Sequence, residues 1–367
     1  MNTQIQDEFT FKNGQTMRNR VVLAPMTICA SEPGGYVSQA DIDFFARRSR
    51  SVGMVITGST YVHPLGKSFA ESFSGAEDDK IEGLSRLAKA IKDQGALAIV
   101  QLYHGGRMVL PDLIDGQPVA PSAVKAPRDY LAEPRALKNS EVEQVIEDFL
   151  SAIRRAIQAG FDGVELHGAN TYLIQQFVSP HSNVRQDKWG GSLNNRLRFP
   201  KTLLKRAKQL VKEEADRPFL IGYRFSPEEI EEPGIQLYDT LQLLEQLIYH
   251  QVDYLHISTS DVWRSSIRDS QDSEPVIQKI IRKINDRVPL IGVGQIETKQ
   301  DAQRVLDAGI PLFALGKALL LDPDWAEKVV SGREEEVIRA YRDELQADLA
   351  LPTAFVEDAR SYLEGKD

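Results

Sequence analysis

Four polar side chains stand at or just past the ends of apolar runs that a buried strand would keep free of them. They are Thr27 after RVVLAPM, Gln101 within LAIVQLYH, His167 in GVELHG and Arg224 in FLIGYRFS. Arg224 is the most demanding, because a guanidinium flanked by FLIGY and FS is costly to bury without an anion. Gln101 taken alone is as compatible with a buried amide satisfied by its neighbours. Four such groups converging on one rim favour a site over coincidence. Two later runs, GVGQI (292–296) and LGKALL (315–320), end in glycines, and glycine lets backbone N–H groups approach an anion closely. Lys317 adds a positive charge there. Two ordinary strand-to-helix turns would carry the same glycines. Together with the rim, Gly294, Gly316 and Lys317 call for a phosphate-bearing cofactor. No G-x-G-x-x-G follows an early strand and no Walker motif occurs, so neither a Rossmann domain nor a P-loop is expected.

The elements that must position these groups alternate strand with helix. Apolar runs begin at Arg20, Met54, Leu97, Gly163, Phe219, Asp253, Pro289 and Leu312, and amphipathic stretches separate them. Ser38 and Asp41 have capping-box spacing before one such stretch, and Ser140 with Glu143 before another. Near-continuous apolar strands with intervening helices imply a parallel sheet covered by helices. Eight units fit an α/β fold, a single (β/α)₈ TIM barrel; an open doubly wound sheet fits the pattern too. FTFKNGQTM, with Asn13-Gly14 between strand-like flanks, predicts an N-terminal hairpin cap over residues 1–18. Insertions follow the third strand (105–139) and the fourth (169–198, a long polar loop), on the face where barrels keep their chemistry. With a helical extension over 332–367, the whole of 1–367 reads as one domain.

The chain of 367 residues is 42% hydrophobic and 26% charged, a globular composition. Its net charge of −9 and pI near 5.4 argue against a nucleic-acid or anionic-membrane surface. The polar start MNTQIQDEFTF lacks the regions of a signal peptide, and no apolar run approaches a membrane span, so a cytoplasmic location is expected. One cysteine, Cys29, rules out an internal disulfide and a Cys-ligated cluster, and no metal site is expected.

The stretch HGANTYLIQQFVSPHSNVRQDKWGGSLNNRLRF (167–199) resembles the old yellow enzyme family of FMN-dependent ene-reductases and NADH:flavin oxidoreductases. LAPMT (23–27), QLYHGGR (101–107), YRFS (223–226), GVGQI and LGKALLLDPDW match in the same order, so the resemblance covers roughly 8–330. It implies FMN, with NADH or NADPH as reductant. Pro25, Met26 and Thr27 would lie beside the flavin ring, Gly58 would let it sit close, and Gln101 would bond the pyrimidine edge. Arg224 would face the N1 and O2 edge, where charge develops on reduction. Gly294, Gly316 and Lys317 would hold the phosphate. His167 and Asn170 would grip a substrate carbonyl, and Tyr172 would deliver a proton to the α-carbon. Asp187, Trp189, Gly190, Gly191, Asn195 and Arg196 match as loop scaffold, and His104 and Arg107 as wall.

The resemblance thus implies hydride transfer from NAD(P)H through FMN to activated alkenes with ping-pong kinetics, on small-molecule substrates. An NAD(P)H:flavin or quinone reductase with incidental alkene reduction is the alternative, and a flavin-dependent tRNA-modifying enzyme is opposed by the charge. Thr27 stands where some branches carry a redox-tuning cysteine, and Lys317 replaces a more usual arginine. Cys29 reads equally as pocket lining or as a structural thiol. The final stretch matches nothing and leaves homo-oligomer contacts open.

Overall fold

Each of the eight apolar runs forms a parallel strand, and the strands close on themselves. In the computed structural model, which describes residues 3–364, the barrel strands are β1 (Val21–Leu23), β2 (Met54–Tyr61), β3 (Leu97–Tyr103), β4 (Gly163–Gly168), β5 (Leu220–Phe225), β6 (Tyr254–Ile257), β7 (Leu290–Val293) and β8 (Leu312–Leu315). They pair in chain order, and β8 returns to β1 through Phe313 opposite Val21 and Leu315 opposite Leu23. The (β/α)₈ barrel forms, and the open sheet is excluded because closure leaves no edge.

Helices cover the barrel with the faces that the periodicity requires. Ile81–Lys92 buries Leu84, Leu87, Ala88 and Ile91, and Asn139–Gln158 buries Val142, Val145, Phe149, Ile153 and Ile157. Each of the Leu, Ile, Val and Phe side chains contributes roughly 1.5–3 kcal/mol over its exposed state. The capping box at Ser38 forms as expected, with Asp41 N–H on Ser38 Oγ at 3.0 Å and Ser38 N–H on Asp41 at 2.9 Å. The next cap differs. Helix 139–158 starts before Ser140, and Glu141, not Glu143, takes the Lys138 N–H at 2.7 Å.

Two other expectations are corrected. The run LFALGKALL breaks at Gly316 into β8 and a short helix, Lys317–Leu321. The stretch 169–198 is not simply a polar loop: it contains helix Leu173–Val178, with Leu173, Ile174, Phe177 and Val178 buried, and a turn of helix at Leu193–Arg196. Apolar residues at helical spacing within a polar composition explain the difference.

Strands Phe9–Thr10 and Thr16–Met17 pair antiparallel around Gly14, whose φ of 91° suits glycine. Phe11 follows the first of these strands, is buried, and packs with its ring 6.2 Å from that of Tyr254, at the N-terminal end of β6. The hairpin therefore closes the barrel floor and leaves the C-terminal mouth for chemistry. Beyond β8 the chain continues through helix Trp325–Val330 to helix Thr353–Glu364. Residues 1–2 of the expected cap and 365–367 of the expected extension lie outside the described residues. Among the described residues no helix is long and apolar enough to cross a membrane.

Candidate active site

β4 supplies the centre of the site. Strand side chains alternate between faces, so Glu165 and His167 share one face and meet groups from across the barrel. The His167 ring is buried, and its Nδ1 accepts the Ala169 N–H at 3.3 Å. That bond leaves the hydrogen on Nε2, which has no partner among the described residues. Burial, then the charge of Arg224, holds the ring well below the usual histidine range. His167 is therefore a neutral donor.

The chain then turns sharply. Asn170 (φ 55°) and Thr171 (φ 63°) are both left-handed, at a cost of roughly 1–2 kcal/mol each. Polar side chains hold this turn. Asn170 N–H donates to Ser226 Oγ at 3.0 Å, and Thr171 N–H to Gln175 Oε1 at 3.1 Å. Gln176 Nε2 donates to Thr171 O at 2.6 Å and to Gly105 O at 3.0 Å, tying the turn to the loop after β3. Gln175 is braced in turn by buried Glu229, to which its Nε2 donates at 2.7 Å. The Asn170 amide accepts from Ser258 Oγ at 2.9 Å, so its Nδ2–H groups remain for a ligand.

Tyr172 stands edge-on to His167, ring centroids 4.9 Å apart, and edge-on to Tyr103 at 5.2 Å. Burial pushes its hydroxyl up to about 12, against the opposing pull of Arg224 and Arg128. The phenol keeps its proton at neutral pH, and among the described residues its oxygen has no hydrogen-bond partner.

The loop after β1 forms one wall. Pro25, Met26 and Thr27 are half-buried at the mouth, and Thr27 Oγ1 accepts Ser59 N–H at 3.2 Å, which leaves its own hydrogen to donate. A Cβ on Gly58 would lie 2.7 Å from Met26 O and 3.1 Å from Thr27 Cα. Glycine there admits the wall itself, a nearer reason than room for a ring. Gln101 donates Nε2–H to Glu165 at 2.7 Å and accepts from Ser59 Oγ at 3.1 Å, so half of its amide capacity is unused.

Gly316 borders Met26, whose Sδ lies 3.7 Å from where a Cβ would stand. Gly294 (φ 114°) sits where a Cβ would fall 2.8 Å from Thr259 O. The Lys317 ammonium lies 5.0 Å from the Tyr362 ring on the C-terminal helix. His104 and Arg107 are buried beside the mouth, with Arg107 on His181 Nδ1 at 3.1 Å. Asp187, paired to Arg185 at 2.6 Å, and Arg196, on Val178 O at 2.8 Å, brace the 169–198 segment. Cys29 is half-buried with φ 47° and a thiol pushed up by burial.

The chemistry of this set fits a flavin. Arg224 is 9% exposed, its Nε is buried without a partner, and no hydrogen bond reaches its guanidinium among the described residues. A largely buried cation with an unpartnered Nε favours an electron-rich partner. Thr27 and Gln101 supply a donor and a donor–acceptor pair on the same rim, and a Cβ at Gly316 would meet Met26 Sδ only at ordinary contact distance, 3.7 Å. Sequence reasoning missed Glu165, His256, Ser226, Ser258, Gln175 and Glu229. Glu165, two residues before His167, was visible as a charge on the same strand face; the serines and Gln175 carried no signal.

Similarity to known proteins agrees with this chemistry. The profile of the NADH:flavin oxidoreductase / NADH oxidase family matches residues 7–336. An NADH:fumarate oxidoreductase of Klebsiella pneumoniae (strain 342) is 47% identical over 92% of this chain, which spans only 37% of that protein's length. A probable NADH-dependent flavin oxidoreductase of Bacillus subtilis (strain 168) is 45% identical over 90% of the chain and 89% of its own. The solved old yellow enzyme homologue from Zymomonas mobilis superposes with a TM-score of 0.79 at 26% identity, over 90% of this chain and 93% of its own. The chain belongs to the NADH:flavin oxidoreductase / NADH oxidase family of FMN-dependent enzymes.

Proposed function

We propose that this protein reduces activated alkenes, α,β-unsaturated carbonyl compounds, with reducing equivalents from NADH or NADPH, through FMN at the barrel mouth. FMN, when bound, accepts a hydride from the nicotinamide and passes one to the alkene. Thr27, Gln101 and Arg224 would hold its ring, with Pro25, Met26 and Gly58 shaping the wall and Gly294, Gly316 and Lys317 at the phosphate end. A fixed cation at Arg224 favours negative charge on the pyrimidine edge without reorganisation.

His167 Nε2–H and Asn170 Nδ2–H would grip the carbonyl oxygen. Both donors bind an enolate-like oxygen more tightly than a carbonyl, which lowers the barrier rather than only KM. Tyr172 O–H would give the α-carbon its proton. The observation that carries this reading is three donors without partners among the described residues, on His167 at the end of β4 and on Asn170 and Tyr172 in the braced turn after it, beside a largely buried arginine whose Nε is likewise unpartnered there.

Nicotinamide and alkene would use one face in turn, so parallel-line steady-state kinetics are expected. Intersecting lines would count against a shared site. One relative that matches nearly end to end is a probable NADH-dependent flavin oxidoreductase, which favours a second reading with flavins or quinones as acceptors. Tyr172→Phe separates the two, because only alkene reduction needs its proton. The reading takes the chain as one FMN domain acting on small molecules in the cytoplasm; the net charge of −9 offers no broad surface to nucleic acid.

A further inference from the structure

Glu165 is a buried charge at the site that the reaction does not use. Its side chain is 0% exposed in the middle of β4. Its oxygens are claimed from two sides: Gln101 Nε2 on β3 donates to Oε1 at 2.7 Å, and His256 Nδ1 on β6 meets Oε2 at 2.9 Å. The second bond crosses β5, where Gly222 stands opposite Glu165 in register without a side chain. His256 is also 0% exposed, and its Nε2 is buried with no partner. A second ring hydrogen would have no acceptor there, so the ring is neutral and donates from Nδ1. Burial alone would raise the carboxyl, but His256, Arg224 and Gln101 outweigh it and hold Glu165 below the usual carboxylate range. Arg224 stands in register with both His167 and His256, yet makes no hydrogen bond to Glu165. The carboxylate thus acts on Arg224 through space and leaves the guanidinium donors free.

We propose that Glu165 is a positioning and tuning residue for the flavin: it fixes the Gln101 amide and offsets the Arg224 charge, setting the reduction potential below what Arg224 alone would give. The proposal rests on the flavin-binding reading above. Negative charge appears on the pyrimidine edge only in the reduced state, so a nearby carboxylate weakens binding of reduced FMN more than of oxidised FMN.

The test is Glu165→Gln in FMN-loaded protein, read by dye equilibration of the flavin potential and by fluorescence titration of oxidised FMN. The two-electron equilibrium constant is expected to shift at least tenfold toward reduced flavin, about 30 mV, while oxidised FMN binding changes less. A folded variant with an unshifted equilibrium constant overturns the proposal. If Glu165→Gln fails to fold, Glu165→Gln/Arg224→Gln leaves neither buried charge unpaired. Its equilibrium constant is then expected at least tenfold above that of Arg224→Gln alone, and equality of the two overturns the proposal. Wild-type protein that takes up no FMN overturns the flavin reading itself, whereas wild-type protein that binds FMN beside an unshifted variant overturns only the role of Glu165.

Discussion

Ser258 Oγ, just past β6, donates to Asn170 Oδ1 at 2.9 Å, so one strand end orients a side chain presented by another. The bond decides which side of the Asn170 amide faces the mouth. Ser258→Ala frees the amide to rotate, and a neutral hydrogen bond of about 1 kcal/mol corresponds to about fivefold. The expected result is a KM for enones raised about fivefold, with reduction of the flavin by NADH unchanged, measured as separate half-reactions.

Tyr172→Phe removes the only proton donor assigned to the α-carbon. A positioned general acid contributes about 10²- to 10⁴-fold. Enone reduction should fall at least a hundredfold while quinone reduction stays within a few-fold of wild type. Because burial holds the phenol up to about 12, the wild-type enone step should show no loss of rate from Tyr172 ionisation up to about pH 10.

Gln175 joins the left-handed turn to buried Glu229. Gln175→Ala leaves the Thr171 N–H and one Glu229 oxygen short of a partner, a loss of about 2 kcal/mol. A lower Tm together with a higher KM for enones is expected. An unchanged Tm would show that the turn holds without this brace.

His104 is buried, and burial followed by the neighbouring His63 pushes its ring down to about 3. Its folded value lies below its unfolded one, so the unfolded chain binds the extra proton. Stability from this group is complete above about 6.5 and is lost as pH falls toward about 3, with a slope approaching 1.4 kcal/mol per pH unit. His167, depressed in the same direction, adds to the trend. His104→Asn can keep an acceptor for Gly106 N–H, which Nδ1 takes at 3.1 Å. Denaturant melts between pH 7 and 5 should show a shallower pH slope in this variant than in wild type.

The barrel was legible because its strands are buried on both faces, so GVELHG and FLIGYRFS read as apolar runs whatever their neighbours. Boundaries were less so: LFALGKALL is apolar throughout, and only the backbone at Gly316 ends the strand. His167 and Arg224 announced themselves as polar groups in apolar surroundings. Glu165 carries the same signal, but its partner His256 lies almost a hundred residues away, so the strand alone does not show what it bonds. Ser226, Ser258 and Gln175 are ordinary surface types whose roles arise only when β5, β6 and helix Leu173–Val178 converge on the Asn170 turn. The Lys317 ammonium also meets the Tyr362 ring, a contact the sequence does not show because the segment that carries Tyr362 has no legible pattern.

The most direct measurement is anaerobic double-mixing stopped flow on the FMN-loaded protein, first with NADH or NADPH and then with an enone. The account predicts that flavin absorbance bleaches with at least one nucleotide and returns on enone addition at a rate matching turnover, with His167→Ala slowing only the second phase. Flavin that bleaches but is reoxidised by no enone, while quinones or free flavins restore it, would contradict alkene reduction as the activity of this site.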